Sequence, residues 1–572
     1  MISRRLASAS FLGAMLAAIA GCEPRSSSDM VRGPSSQGDA RGDLFPSIAQ
    51  QLNSLEQYDP QQVMPQLCDR LNHWARVEPA KAEWKRDPML DELPAKLRRG
   101  PLVDKLDDSL YTLPDMTLVQ EAIWLRDVAQ VARIGTDLEV AERLFDWTIR
   151  NLQLEADPPS GITGRMAGEI LLLGRATALE RAWIFTLLCR QQKLDVVMLA
   201  IAPKEQDEKS TPLAWLPAAV SDGQLYLFDV RLGLPIPGPD GKGIATLAQA
   251  AEQKQLLDSL DLDSDHHYPV HADDIDGRVV AWIEAFPTYL TRRLHWLDAR
   301  LSGEQRVVLT VAPSEIAARV KKQPHVSRAE LWPLPYEVIE QRSQRTKGTA
   351  VAAQRAMQFF DAETPLGKGR VRHFKGMVDG ADGAKQHYLS ARTPLHMMET
   401  MRDHPERVFG DQILKLPKDQ RDTLIEQQIE IVQSAKQQAS LLLGLIAFEQ
   451  NDHAVAIDYF ARRLLADSPQ GPLSTSGRYN LARAYEAVGK TDEAIKLYEN
   501  DKSPQRHGNL LRARRLKSLA KTAPETKPEP DKPKSESEKT PASSADSDKP
   551  APPDQKPASE NKEVKPAEPA PK

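Results

Sequence analysis

Few side chains in this chain of 572 residues have the type and setting to do covalent or metal chemistry. A hydrolase or acyltransferase needs an activated nucleophile or a bound cation. The three cysteines are Cys22, Cys68 and Cys189. Cys68 and Cys189 fall in apolar helical contexts, where burial keeps a thiol protonated, so we expect two separate inert thiols rather than a disulfide. Asp261, Asp263, Asp265, His266, His267 and His271 form a cluster of oxygen and imidazole ligands that could suit a divalent ion. It fails the EF-hand spacing, because His266 stands where that loop needs Gly and Ala272 where it needs a terminal Glu. A solvated acidic loop without metal is the expectation. No Walker, dinucleotide or triad pattern is present, so no cofactor is expected.

The elements that would position a site lie between Gly174 and Asp229. Thr177-Ala178-Leu179-Glu180 is a capping box, in which hydroxyl and carboxylate satisfy free backbone N–H groups, and it predicts a helix from Ala178. Ala178, Ala182, Phe185 and Cys189 share one face of it. Apolar β-rich runs follow at Val196–Ile201, Leu213–Val220 and Gln224–Phe228, the last two joined by Ser221-Asp222-Gly223. A helix packed on an antiparallel sheet follows from this order. Thr177, the nearest hydroxyl, has no general base in the pattern and reads as a cap.

That order, together with the helix predicted over Asp137–Glu155, resembles the transglutaminase-like (papain-like) core from about Asp137 to Arg231. The resemblance implies a nucleophilic Cys at the first turn of the helix, a His on the first strand of the following hairpin and an Asp or Asn on the second. Those positions correspond here to Ala178, Ala214 and Asp229. Two alanines supply neither nucleophile nor base, so the resemblance implies a degenerate, non-catalytic relative. The rival expectation is an enzyme: a cysteine-peptidase or transglutaminase relative with displaced catalytic residues, or a metal-dependent hydrolase using the Asp/His cluster.

At the N-terminus, Arg4 and Arg5 precede the apolar run Phe11–Ala20, the layout of a secretory signal over residues 1–21. Ile19-Ala20-Gly21-Cys22 resembles a bacterial lipobox, which implies acylation of Cys22 and a membrane anchor. Glu23 after the Cys favours the outer membrane. The expectation is therefore an exported lipoprotein facing the periplasm or cell envelope. Residues 22–43, rich in Ser, Gly and Asp, read as a flexible lipidated tether. Residues 521–572 are Pro, Lys, Glu, Ser and Ala with Val564 as the one large aliphatic, and should be disordered. Net charge −5 and pI near 6.2 leave no basic field, so nucleic acid is not an expected partner.

Between these ends, an α+β multidomain chain is expected. Residues 44–136 show helical periodicity, with Ile48, Leu52 and Leu55, then Val63, Leu67, Leu71 and Trp74, then Leu118, Ala122, Leu125 and Val128. Trp74, Trp84 and Trp124 should be core rather than a ligand platform. The transglutaminase-like core is set at 137–260. Over 261–395 the pattern predicts one long helix, Asp276–Leu301, then a small α/β module with strands at Arg306–Val311 and Arg328–Leu334 around a helix at Ser314–Lys322. Arg370–Val378 and Lys385–Ala391 are strand or helix candidates. Residues 396–520 are helical. There Gly444, Ala456 and Phe460, then Ala482, Tyr485, Ala494 and Tyr498, stand at the separations of tetratricopeptide (TPR) repeats. Small residues let paired helices approach and the aromatics fill between them. The resemblance covers about Ala439–Arg506, with Asp419–Lys436 and Asn509–Ala520 expected as flanking helices, and implies a surface for a protein or peptide partner. A lipid-anchored protein-binding scaffold is the function these readings imply.

Overall fold

The computed structural model describes residues 44–78, 83–98, 101–159, 161–204 and 211–522. Cys22 with the leader and tether, and the Pro/Lys/Glu-rich tail from residue 523, lie outside the described residues. Helices α1 (Phe45–Asn53), α2 (Pro60–Val77) and α3 (Leu113–Ala129) open the fold. Their i,i+4 apolar residues, Ile48, Leu52, Val63, Leu67, Leu71 and Trp74 among them, are buried as the periodicity predicts. Trp74 stacks on Trp296 with ring centroids 4.0 Å apart, whereas Trp124 lies beside Phe374 and Trp84 donates to the carbonyl of Leu290 at 3.2 Å. The three indoles therefore pack in separate places and line no common groove.

Helix α4 (Asp137–Asn151) is capped by Thr136 and Glu139, and α5 (Ala167–Leu173) leads to α6 (Ala178–Gln191). The predicted capping box starts α6: the Glu180 N–H donates to Thr177 Oγ1 at 3.3 Å and the Thr177 N–H to Glu180 Oε2 at 2.9 Å. Helix α6 is buried around nearly its whole circumference, with α4 on one side and a sheet on the other. Phe185 of α6 meets Phe145 of α4 edge-on at 5.5 Å and Phe228 of the sheet at 5.2 Å.

The sheet contains β1 (Val196–Ile201), β2 (Leu213–Ser221), β3 (Gln224–Asp229), β4 (Leu234–Pro235), β5 (Val279–Ile283) and β6 (Val326–Leu331), in the spatial order β4-β3-β2-β1-β5-β6. All neighbours are antiparallel except β5 and β6. The β2–β3 hairpin turns on Asp222 and Gly223, at φ 49° and 68°, the doubly positive pair that matches strand twist. A bulge in the β1–β2 pairing pairs Leu199 with Leu216 and Ala200 with Ala214, leaving Trp215 over. It turns Trp215 and Leu216 to the face away from α6 while Ala214 stays on the α6 side.

The structure corrects three expectations downstream. Asp276–Leu301 is not one helix: it is strand β5, a 3₁₀ turn at Pro287–Leu290 and helix α7 (Arg292–Arg300). Val279-Val280-Ala281-Trp282-Ile283 is buried on both faces beside β1, so its continuous apolar run mimics a helical stripe, and Pro287 and the Thr291 cap break the register. Arg306–Val311 forms no strand. Val307 and Leu309 alternate inward, but the side-chain amide of Gln191 bonds the backbone of Val308 in place of a neighbouring strand. Helix α8 (Pro313–Val320) then carries the chain to β6, parallel to β5, so these strands extend the core sheet instead of building a second α/β module. Arg370–Val378 and Lys385–Ala391 resolve as helical: after α9 (Leu334–Ser343) and α10 (Lys347–Met357) come α11 (Pro365–Phe374) and α12 (Ala384–Ser390).

After α13 (Leu395–Asp403), α14 runs unbroken from Lys418 to Glu449. The expected flanking helix and the first repeat helix are thus one element, because no Gly or Pro interrupts the chain before Gly444. Helix α15 (His453–Ile457) continues as a π-helical stretch over Asp458–Leu465, then α16 (Ser474–Ala487), α17 (Thr491–Glu499) and α18 (Arg506–Thr522) complete the hairpins. No helix among the described residues is long and apolar enough to cross a membrane.

Candidate functional site

The N-terminus of α6, where the resemblance places a nucleophile, opens on a cavity of about 710 Å³ lined by Glu155, Thr163, Arg165, Thr177, Gln341, Arg345 and Thr349, among others. A neighbouring hollow of about 470 Å³ shares Gln341 and reaches Leu179, Lys96 and Glu337. The walls are built from three pieces. Glu180, the α6 cap, holds Arg165 through Nε at 3.0 Å and Nη2 at 2.6 Å, and Arg165 Nη2 also reaches Glu155 at 2.8 Å. Helix α9 and the turn after it fix the opposite loop: Gln341 donates to Ile162 O at 3.0 Å, and Arg342 and Arg345 donate to Gly164 O at 3.1 and 2.7 Å. Gly161 and Gly164, at φ 77° and 70°, supply the left-handed turns that this loop requires. Helix α10 forms the rim and has no buried residue.

The chemistry of this cavity is hydrogen bonding and charge pairing. Ala178 is buried and does not line the cavity, and the Thr177 hydroxyl is occupied as the cap acceptor. Ala214 packs on the α6 side of the sheet. Asp229 lies on the opposite face: Phe228 points at Phe185, so strand alternation turns Asp229 away from α6. Its Oδ1 accepts from the N–H groups of Arg231 and Leu232, both at 2.8 Å, and its Oδ2 accepts from the Tyr268 hydroxyl at 2.8 Å. Burial raises the Asp229 carboxyl above its ordinary range against the pull of those three donors. The carboxylate thus builds the turn after β3 and does not join Ala178 and Ala214 in one constellation. The strand left this undecided, because Gln224–Asp229 is apolar on both faces. The cavity-lining Arg165, Gln341 and Arg345 were not singled out from the sequence, where the glycines of Gly161–Gly164 were the only local signal.

Both remaining thiols are enclosed. Cys189 is fully buried, and burial raises its pKa well above the ordinary value. Cys68, raised first by burial and then by nearby Asp69 and Asp115, donates to the carbonyl of Tyr111 at 3.2 Å. In the native chain neither thiol should react with iodoacetamide over hours at pH 7.5, and both should label once guanidinium unfolds it, as read by intact mass. The Asp/His cluster pairs within itself and with Asp258: His266 with Asp263 at 2.7 Å, His267 with Asp261 at 3.7 Å, His271 with Asp258 at 3.1 Å. Among the described residues no group of three or more His, Cys, Asp or Glu side chains is placed to hold a metal ion.

In the C-terminal hairpins, Ala456, Phe460, Ala482, Ala494 and Tyr498 are buried and Tyr485 is half-buried. A Cβ on Gly444 would stand 2.4 Å from the Phe460 ring, the close approach that the repeat spacing requires. No curated protein and no solved structure matches the chain. A family model described as tetratricopeptide repeat matches residues 423–472 and 441–506, a region that begins within the first half of α14, upstream of Ala439. The C-terminal helical region therefore carries tetratricopeptide repeats, a fold that generally mediates protein–protein contacts.

Proposed function

We propose that this chain is a lipid-anchored protein of a bacterial cell envelope, with the outer membrane favoured, in which a non-catalytic transglutaminase-like core and the repeats form a protein-binding scaffold. The observation that carries the reading is the open cavity at the α6 N-terminus, and the match of residues 423–506 to a tetratricopeptide repeat supports a scaffold role. The lipobox-like Ile19–Cys22 supports the anchor, and the order α4, α6, β1, β2, β3 supports the core assignment. The absence of a nucleophile from the α6 N-terminus supports binding over turnover. On this reading the cavity beside Thr177 receives an extended segment of the partner along its rim, where Gln344, Thr346 and Thr349 stand.

The test is site-specific photo-crosslinking in cells from the full-length chain, with the photo-reactive residue at Thr349 or Ala353 on the cavity rim and at Asp492 of α17 as control. Metabolic labelling with an alkyne fatty acid runs in parallel, comparing wild type with Cys22→Ser. A discrete protein adduct from the rim that is absent at Asp492, with fatty-acid label lost in Cys22→Ser, is the expected result. Turnover of peptide or acyl-transfer substrates by the purified chain would overturn the reading, as would an unlabelled Cys22.

A further inference from the structure

The repeats already hold a helix. The C-terminal end of α14 and one face of α16 meet the C-terminal half of α4, and the turn just before α18 meets Arg181 of α6.

The contacts are those of recognition. From α14, the Phe448 ring lies 4.7 Å below the Arg150 guanidinium, and Glu449 accepts from Asn151 Nδ2 at 3.2 Å while its other oxygen pairs with His373 at 2.7 Å. Burial opposes ionisation of Glu449, but His373 and Arg150 outweigh it and bring its pKa down to about 2. From α16, Arg483 Nη1 donates to Asp146 Oδ1 at 2.7 Å, and Asn480, fully buried, donates to the Arg150 carbonyl at 3.1 Å. Asp146 also accepts from Arg150 at 2.7 Å, and this pair of arginines overcomes its burial to hold the carboxyl well below its usual range. Just past α4, the Gln153 amide brackets the start of α16, donating to Pro472 O and accepting from Ser476 N, each at 3.1 Å. At the α18 end, Gln505 accepts from Arg181 of α6 at 2.8 Å. Arg181 is fully buried with no carboxylate partner among the described residues, and its other donors go to the carbonyls of Leu152, Val230 and Ile149.

We infer that the repeat face made by the end of α14 and one side of α16 is a helix-binding surface whose ligand is α4 of this same chain. Asp146, Arg150 and the Arg150 carbonyl at the α4 C-terminus are the recognised features, and Phe448, Glu449, Asn480 and Arg483 are the reading residues. That face is closed to a second protein, and an external partner of the scaffold docks elsewhere. The inference rests on the repeat match and the interface, and stands whether or not the cavity beside Thr177 captures a partner.

The experiment is hydrogen exchange on the mature full-length chain at graded denaturant, for wild type, Arg483→Glu and Gln153→Ala. In wild type, amides of the α4 C-terminal half and of α16 should exchange in one cooperative step. Arg483→Glu breaks a part-buried ion pair and sets a carboxylate against Asp146, and should speed exchange in α4 and α16 together by roughly 100-fold. Gln153→Ala, which leaves that charge pair intact, should speed the same two helices together by a smaller factor. Wild-type repeats opening as a unit of their own while α4 stays protected would overturn the inference, and so would acceleration confined to α16 and α18 in both variants.

Discussion

Gly508→Ala should destabilise the folded chain by about 3 kcal/mol or more, a large effect for one added methyl group in a helix. Alanine is the better helix former by about 1 kcal/mol, so the sign is set entirely by what the methyl meets. At Gly508, near the start of α18, it would stand 1.7 Å from the carbonyl oxygen of Leu232 and 2.4 Å from the carbonyl carbon. This is backbone, and it cannot retreat cheaply, because Asp229 fixes the turn through the N–H groups of Arg231 and Leu232. Helix α18 must therefore lift, separating Gln505 from Arg181, His507 from the Leu260 carbonyl and Leu511 from the core beyond the sheet. Gly348→Ala is the matched control: it lies in α10, and its added methyl would find nothing closer than the Thr346 hydroxyl at 3.8 Å. That variant should be neutral or slightly stabilising. Thermal unfolding of both variants decides the matter, and equal midpoints would show that α18 does not need its close seat on the turn.

Replacing Glu121 by Gln should change the pH dependence of stability more than its value at acid pH. Glu121 is wholly buried on α3, with its chain under Gly168, where a Cβ would come within 2.8 Å of it. Burial is the main cause that raises its pKa to about 8, with Glu169 adding to the shift and the Gly168 N–H and Arg342 opposing it. A carboxyl with a folded pKa above its unfolded value near 4.5 favours the folded state fully below pH 4.5. That stability is lost progressively as pH rises to about 8, because the unfolded chain has released its proton and the folded chain has not. A neutral Gln cannot take part, so the two proteins should have similar stability at pH 4.5, and the variant should lead by about 4 kcal/mol above pH 8. Groups common to both chains cancel in the difference. Parallel stability curves from denaturant titrations across this range would mean that Glu121 is ionised in the native protein.

The elements legible in advance are those whose signals are local. Thr177 and Glu180 specify the start of α6 through hydrogen bonds within one turn of chain. Asp222 and Gly223 specify the β2–β3 hairpin through backbone angles that they adopt at low cost, and the small and aromatic residues from Gly444 to Tyr498 mark the repeats because paired helices must approach at those points. Beyond these, tertiary structure decided. Val279–Ile283 is a strand because β1 had an open edge to pair with, a fact absent from a run of five apolar residues that fits a buried helix equally well. Asp229 faces away from α6 because the register of β3 sends Phe228 inward to Phe185, although both faces of the strand are apolar. The cavity beside Thr177 joins Glu155 and Arg165 to Gln341 and Arg345, and the repeats close on α4 across more than 300 residues of sequence, as in the contact between Asp146 and Arg483. Capping boxes, turn residues and the small-residue spacing of paired helices are local signals, so the sequence by itself determined the start of α6, the β2–β3 hairpin and the repeats. Which faces meet depends on burial and charge pairing summed over the whole chain, and only the folded structure carries that sum.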